Sequence, residues 1–396
     1  MLKVGVYWSE ATDAYKAGKE SAEKALAKLG GKADFAMAFC TVPYNEVKFV
    51  QGIRDVVGED VPFIGGTSHA GILTPGGYLH KESGAGGVIL LASPEIGFGV
   101  GIAETGDDPR ATGRKAVKAA IAQAGKSESD PVSAYFLIAS PGAEERIIKG
   151  IQDVIGRVPM VGGSAGNNGG EDPIKEFGNS DIVLNGAAVA VIYSDLPLGV
   201  AFTGYYKPTD NHGVITKVRD LRTLVEIDGR KALDVYAEWR GVKVEDVAGG
   251  TLLLDSIPFP LGRVDVGGDH WWIMHPINGN EDGSIATGSD MAVGTGVTLM
   301  EATMEEVAQG AVAVVKMALE DLGGEANAVI VGHCGGRAMG LGADNMKKIN
   351  ANIKHALGDI PFIGYLTFGE QGFAKWSSSG SGGLMLMALA FGAGTK

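Results

Sequence analysis

The chain has 396 residues, 45% apolar and 20% charged, which excludes a disordered chain and supplies apolar surface for more than one domain. Forty-seven acidic against 34 basic side chains leave a net charge of −13, which repels phosphate backbones and anionic lipid; no basic run offsets it. Two cysteines cannot make a disulfide framework, and the 62 glycines, about 16% of the chain against a usual ~7%, follow no collagen period.

The first residues, Met1-Leu-Lys-Val-Gly-Val6, read as strand rather than as a signal peptide. The longest apolar tail, 382–394, is too short to span a bilayer, so a cytoplasmic location without membrane insertion is expected.

A glycine-containing strand at 4–8 leads to a helix at 11–29, stopped by Gly30-Gly31. The continuous apolar run 35–40, ending in Cys40, reads as a strand covered on both faces. After a helical stretch comes Asp60-Val-Pro-Phe-Ile-Gly-Gly66, then a turn and the strand 87–92. The same order returns: strand 97–103, helix 109–124, the run 135–140 ending in Ser140, Arg157-Val-Pro-Met-Val-Gly-Gly163, and strand 187–193. A third unit is expected from strand 199–203 and the run 251–256 ending in Ser256, with the proline phrase rewritten near Pro258-Phe-Pro-Leu-Gly262. The last has strand 294–299, helix 302–322 stopped by Gly323-Gly324, the run 329–334 ending in Cys334, Asp359-Ile-Pro-Phe-Ile-Gly364 and strand 383–390.

Strands interleaved with helices predict an α/β fold: four pseudo-repeated strand-helix-strand-helix-strand-strand units in two domains, 1–195 and 196–396. Pro62, Pro159 and Pro361 are expected to superpose, as are Cys40, Ser140, Ser256 and Cys334 at strand ends. The paired glycines Gly65-Gly66 and Gly162-Gly163 are expected at positive φ or against a closely approaching backbone.

Gly162-Gly-Ser164-Ala-Gly166 fits the G-x-S-x-G pattern, but the turn sequence after it lacks the helix that a nucleophile elbow needs. Cys334 ends a buried strand before Gly335-Gly336-Arg337, where backbone N–H groups can face a ligand and a guanidinium can grip a carboxylate; packing at a strand end is the plainer role. His270 and His275, five apart on a strand, face opposite sides and cannot share a metal; Trp271-Trp-Ile-Met274 between them reads as core. No metal or cofactor is expected.

Gly65-Gly66-Thr67-Ser68-His69-Ala70-Gly71 resembles the glycine/serine signature of the FIST N-terminal domain. His275-Pro276, His333-Cys334-Gly-Gly-Arg337 and Gly364-Tyr365-Leu-Thr-Phe-Gly369-Glu370 resemble the FIST C domain. The resemblance covers most of the chain and implies a stand-alone sensory protein that binds a small molecule, such as an amino acid, and signals through a partner protein. Gly65, Gly66, Ser68, Gly369 and Glu370 enter the expected site through it. Arg337 is expected to take the carboxylate of a zwitterion and Glu370 its ammonium, with Cys334, Gly335 and Tyr365 lining the pocket. The alternatives are a hydrolase or transferase using Cys334 or Ser164, and an adaptor that recruits a protein.

Overall fold

In the computed structural model, residues 1–169, 172–375 and 378–394 are described. They form a mixed α/β protein with seven α-helices: α1 (Ala14–Leu29), α2 (Glu46–Val57), α3 (Pro109–Gln123), α4 (Glu144–Ile155), α5 (Ala232–Arg240), α6 (Met304–Leu322) and α7 (Gly335–Leu357). Local sequence sets most helix ends. Asp13 and Thr303 side chains cap the first turns of α1 and α6, and Gly30 and Gly323 close them in the left-handed conformation that favours glycine.

Three six-stranded sheets share one plan. The first runs Lys3–Ser9, Gly86–Ala92, Phe35–Thr41, Phe63–Ser68, the second Ile96–Glu104, Gly186–Ser194, Ala134–Ala139, Met160–Ser164, and the third Leu198–Thr203, Leu386–Gly392, Ala326–Cys334, Phe362–Thr367. Each is completed by a hairpin from another unit. Glu176–Gly178 with Asp181–Val183 joins the first sheet, Glu370–Phe373 with Ser379–Gly382 the second, and Ile72–Thr74 with Gly77–Leu79 the third. The units are thereby tied in a ring, each lending two strands to a neighbour.

The apolar strand runs follow from this layering. Every residue of Phe35–Thr41 is buried, with one face under α1 and α2 and the other in a core shared by all three sheets. Tyr365 of the third sheet stacks on Phe39 of the first at 4.0 Å between ring centres and reaches Phe136 of the second at 6.2 Å. Parallel strands at the middle of each sheet bring Gly65 and Gly162 against their neighbours: a Cβ would fall 2.0 Å from the Ala38 carbonyl oxygen and 2.2 Å from that of Leu137. Gly66 and Gly163 are crowded by side chains instead, a Cβ falling 3.0 Å from Ile138 and 2.2 Å from Thr367, and none of the four holds a positive φ.

Two parts of the four-unit expectation are corrected. The run 251–256 is not a core strand: only Gly250–Thr251 pairs, the chain then turns, Leu254 is exposed, and the Ser256 hydroxyl donates to the Pro276 carbonyl. Three apolar residues are too few to cross a sheet covered on both faces. This run belongs instead to a nine-stranded sheet formed within 207–301, inserted between Leu198–Thr203 and α6 of the third unit. Strand register supplies the second correction. Ala36, Tyr135 and Val329 donate to the carbonyls of Pro62, Pro159 and Pro361, so the alike strand-end positions are Thr41, Ser140 and Cys334, with Cys40 one residue short.

Candidate functional site

The strand Ala326–Cys334 runs straight into α7, so Cys334 becomes its N-cap residue, and the first turn carries no side-chain cap. That turn faces the inserted sheet across a cavity of about 310 Å³. From the body come Cys334, Gly336, Met339, Thr367, Phe368, Gly369, Gly383 and Leu384, with Pro141 from the second unit; from the insertion come Arg222, Leu253, His275, Ile277, Thr287 and Gly288. The walls are largely apolar, with a few polar groups converging, the usual composition of a small-molecule site.

Cys334 is buried, and burial together with the neighbouring Glu370 pushes its thiol well above the ordinary range, although the backbone N–H groups of Arg337 and Leu384 oppose the shift. The thiol is therefore the resting form. Across the cavity, His275 Nε2 lies 2.8 Å from the Leu253 carbonyl oxygen. A carbonyl only accepts, so Nε2 carries the proton and Nδ1 keeps its lone pair. Burial lowers this imidazole to about 4 and leaves it neutral.

Arg222 brings charge to the rim, already engaged. It donates to Glu144 at 2.7 Å, Glu145 at 2.8 Å and Asp290 at 2.8 Å. Burial and the adjacent Glu144 raise Glu145 above the usual carboxyl range. Three carboxyl groups around one guanidinium offset its charge at the rim of the cavity. The contact also joins the insertion to the first turn of α4.

The residues expected from sequence divide sharply. Cys334 and Gly369 line the cavity. Gly335 opens α7, with the Phe368 ring filling the place of its missing side chain. Arg337 does not reach the cavity: fully buried, it donates to the carbonyls of Gly204 at 2.7 Å, Leu384 at 2.9 Å and Val307 at 2.6 Å, with its guanidinium over the Tyr206 ring. Glu370 is also fully buried, accepting from the Thr367 hydroxyl at 2.5 Å and the Met385 N–H at 2.7 Å, and burial lifts it to about 8. The expected clamp of Arg337 on a carboxylate and Glu370 on an ammonium is therefore replaced by two groups spent inside the protein.

Tyr365 lies in the central core, its hydroxyl donating to the Gly163 carbonyl at 3.3 Å. Gly65 and Gly66 pair with Phe177 and Glu176 of the exchanged hairpin. Ser68 donates to the Gly71 carbonyl at 2.6 Å and accepts the Leu366 N–H at 2.8 Å, stitching the first sheet to the third. Ser164 is buried, bonded to Glu144 and Gln371, and no helix follows it, so it is not a nucleophile elbow.

Sequence reasoning missed Arg222 and placed His275 in the core. The insertion supplies both, and only His275-Pro276 carried a signal, through the resemblance.

The arrangement is that of a mixed α/β protein with a small, mostly apolar cavity at the carboxyl end of a parallel strand, where an inserted sheet closes over the start of a helix. Residues 34–230 match the FIST N domain and residues 232–373 the FIST C domain; the chain belongs to the FIST family. FIST domains are in general small-ligand sensory domains of signalling proteins. The chain is 25% identical over 199 residues to the uncharacterized protein MJ1623 of Methanocaldococcus jannaschii, a match covering 47% of this chain and 38% of that protein. A crystal structure of cyanuric acid hydrolase from A. caulinodans aligns over 99% of this chain and 100% of that one, with 12% identity and a TM-score of 0.39. No helix among the described residues is long and apolar enough to cross a membrane.

Proposed function

We propose that this chain is an intracellular sensor that binds a small amino acid between Cys334 and His275 and signals through a partner protein. The observation that carries this reading is the 310 Å³ cavity, whose apolar walls enclose a few polar groups of opposite preference. In the first turn of α7 the Arg337 N–H is turned to the Cys334 sulfur, and Gly336, which lines the cavity, offers its N–H to a carboxylate. The Nδ1 lone pair of His275 can accept from an ammonium, and the pairing of Arg222 with Glu144, Glu145 and Asp290 removes the repulsion that a free guanidinium would exert. Leu253, Ile277 and Phe368 suit an apolar side chain.

Catalysis through Cys334 has burial against it: desolvation holds the thiol protonated, and the thiolate that a nucleophile needs is disfavoured. The test is a thermal-shift series with apolar amino acids, their amides and their N-acetyl forms. Gly288→Leu serves as the occluded control, because a Cβ at Gly288 meets only ordinary contacts, 3.7 Å from Ile277 and 3.9 Å from His275. At a hundred times Kd the free amino acid is expected to add ~2.7 kcal/mol, a shift of a few degrees that is absent in Gly288→Leu. If no member of the series shifts the native chain, or Gly288→Leu shifts equally, the reading fails.

A further inference from the structure

The three outer helix pairs do not close alike. In the first unit Gly18 lies five residues after the cap Asp13 of α1, and Gly52 six before the cap Gly58 of α2. A Cβ on Gly18 would stand 2.1 Å from the Phe49 carbonyl oxygen, and one on Gly52 2.2 Å from that of Tyr15. The second unit repeats this: Gly113 and Gly150, at the same offsets from Asp108 and Gly156, would place a Cβ 2.1 Å from the Ile147 oxygen and 1.9 Å from that of Arg110. Both pairs cross with backbone against backbone.

In the third unit the same offsets, from Thr303 and Gly358, give Ala308 on α6 and Asn352 on α7. The approach is no longer open to them. Between α6 and α7 runs a groove of about 770 Å³, and both residues line it. Ala308 and Val312 from one helix, and Ile349 and Ala356 from the other, give it apolar side chains at helical spacing. Lys316, Lys348 and His355 stand along it, and Glu305 is the single acidic side chain among those lining it. In a chain of net charge −13, a groove with more basic than acidic groups stands apart.

We propose that this groove docks an amphipathic helix of a partner protein, with a narrow apolar edge flanked by carboxylates. Two helices held apart present the trough that a third helix fills, and small side chains let its axis approach closely. The lysines select acidic flanks. A second copy of this chain docking through the same groove would set Lys316 and Lys348 against their own counterparts. The inference rests on the sensory reading for its purpose, by supplying the output surface, but not for its geometry.

The probes are two stapled helical peptides with identical Ala/Leu edges, one flanked by Glu and one by Lys, titrated by fluorescence anisotropy onto the full chain. The Glu-flanked peptide is expected to bind about tenfold more tightly, with the preference reversed in the Lys316→Glu/Lys348→Glu variant. Ala308→Arg, with its circular dichroism unchanged, is expected to abolish binding of both while leaving the amino-acid thermal shift intact, so the groove and the cavity fail separately. Equal affinities, no saturable binding of either peptide, or a dimer in light scattering that Ala308→Arg dissolves would overturn the proposal.

Discussion

Glu176 and Glu370 are placed alike in two different sheets, each opening a hairpin that leaves its own unit, Glu176 opposite Gly66 and Glu370 opposite Gly163. In the third sheet the place opposite Tyr365 is taken by Ile72. Burial lifts both carboxyls to about 8. Each stands beside its unit's strand-end group: Ser140 donates to Glu176 at 2.8 Å, and Glu370 lies against Cys334. Two acids kept neutral at the joints of the ring make its stability depend on pH.

Between the ordinary carboxyl range and about 8, the folded chain holds these protons and the unfolded chain does not, so stability falls as pH rises, by up to ~1.4 kcal/mol per pH unit for each group. The histidines act in the opposite sense. Burial lowers His270 and His275 to about 4 and His333 to about 3, so below pH ~6.5 the unfolded chain takes up protons that the folded chain refuses. Thermal denaturation across pH is therefore expected to show a maximum near pH ~6.5 with losses on both sides. Glu370→Gln should flatten the alkaline limb, since the Thr367 hydroxyl can turn to the His333 carbonyl at 3.2 Å and accept from the new amide. An alkaline limb as steep as that of the parent would show that Glu370 is ionised in the folded chain.

Arg337 is expected to govern stability and not ligand affinity. Removing it leaves the carbonyls of Gly204, Leu384 and Val307 without their buried donor. Arg337→Ala should cost on the order of 3–5 kcal/mol in urea denaturation. Arg337→Lys, which keeps the charge but cannot reach all three carbonyls from one planar group, should recover only part of it. A variant that folds as stably as the parent but loses amino-acid binding would restore the carboxylate role read from sequence.

The proline phrases made the three alike units legible, because a continuous apolar run before a Pro-Gly phrase has few other uses. The insertion was not legible in the same way. Apart from Lys207–Val218 its strands are short and cut by turns, and the run 251–256 imitates the core strands with three leucines. Nor does any sequence pattern say that Ile72–Thr74 pairs with Phe362–Thr367, for that exchange is decided by long-range packing. The same cause limited the site. Cys334 and Gly369 sit on motifs and reach the cavity, whereas Arg222 and Leu253 arrive from the insertion. Arg337 and Glu370 looked like a ligand clamp because charged residues in glycine motifs usually face solvent, and here both are buried.

Cys40 and Cys334 are expected to resist alkylation. Both are buried and both thiols are pushed up by burial, so native protein at pH 7.5 should react with iodoacetamide at least about a hundredfold more slowly than free cysteine. Saturating ligand should slow Cys334 further by filling the cavity it lines. Rapid, stoichiometric modification of Cys334 alone would instead favour the nucleophile reading.

The glycine crossings give a prediction whose sign separates two explanations. An interior helix glycine with space around it is a weakness, and alanine there stabilises by ~1 kcal/mol. At Gly113 there is no space: the added methyl would meet the Ile147 carbonyl oxygen at 2.1 Å, and that backbone can yield only by parting α3 from α4. Gly113→Ala should therefore destabilise by about 1–3 kcal/mol despite its better helix propensity. Ala308→Gly at the matching place on α6 should lose only ~1 kcal/mol, the propensity term alone, because the groove already holds the helices apart. Urea denaturation of the two variants decides it. A stabilised Gly113→Ala would mean that the helices can part freely, and the contrast between the closed pairs and the open third pair would lose its physical basis.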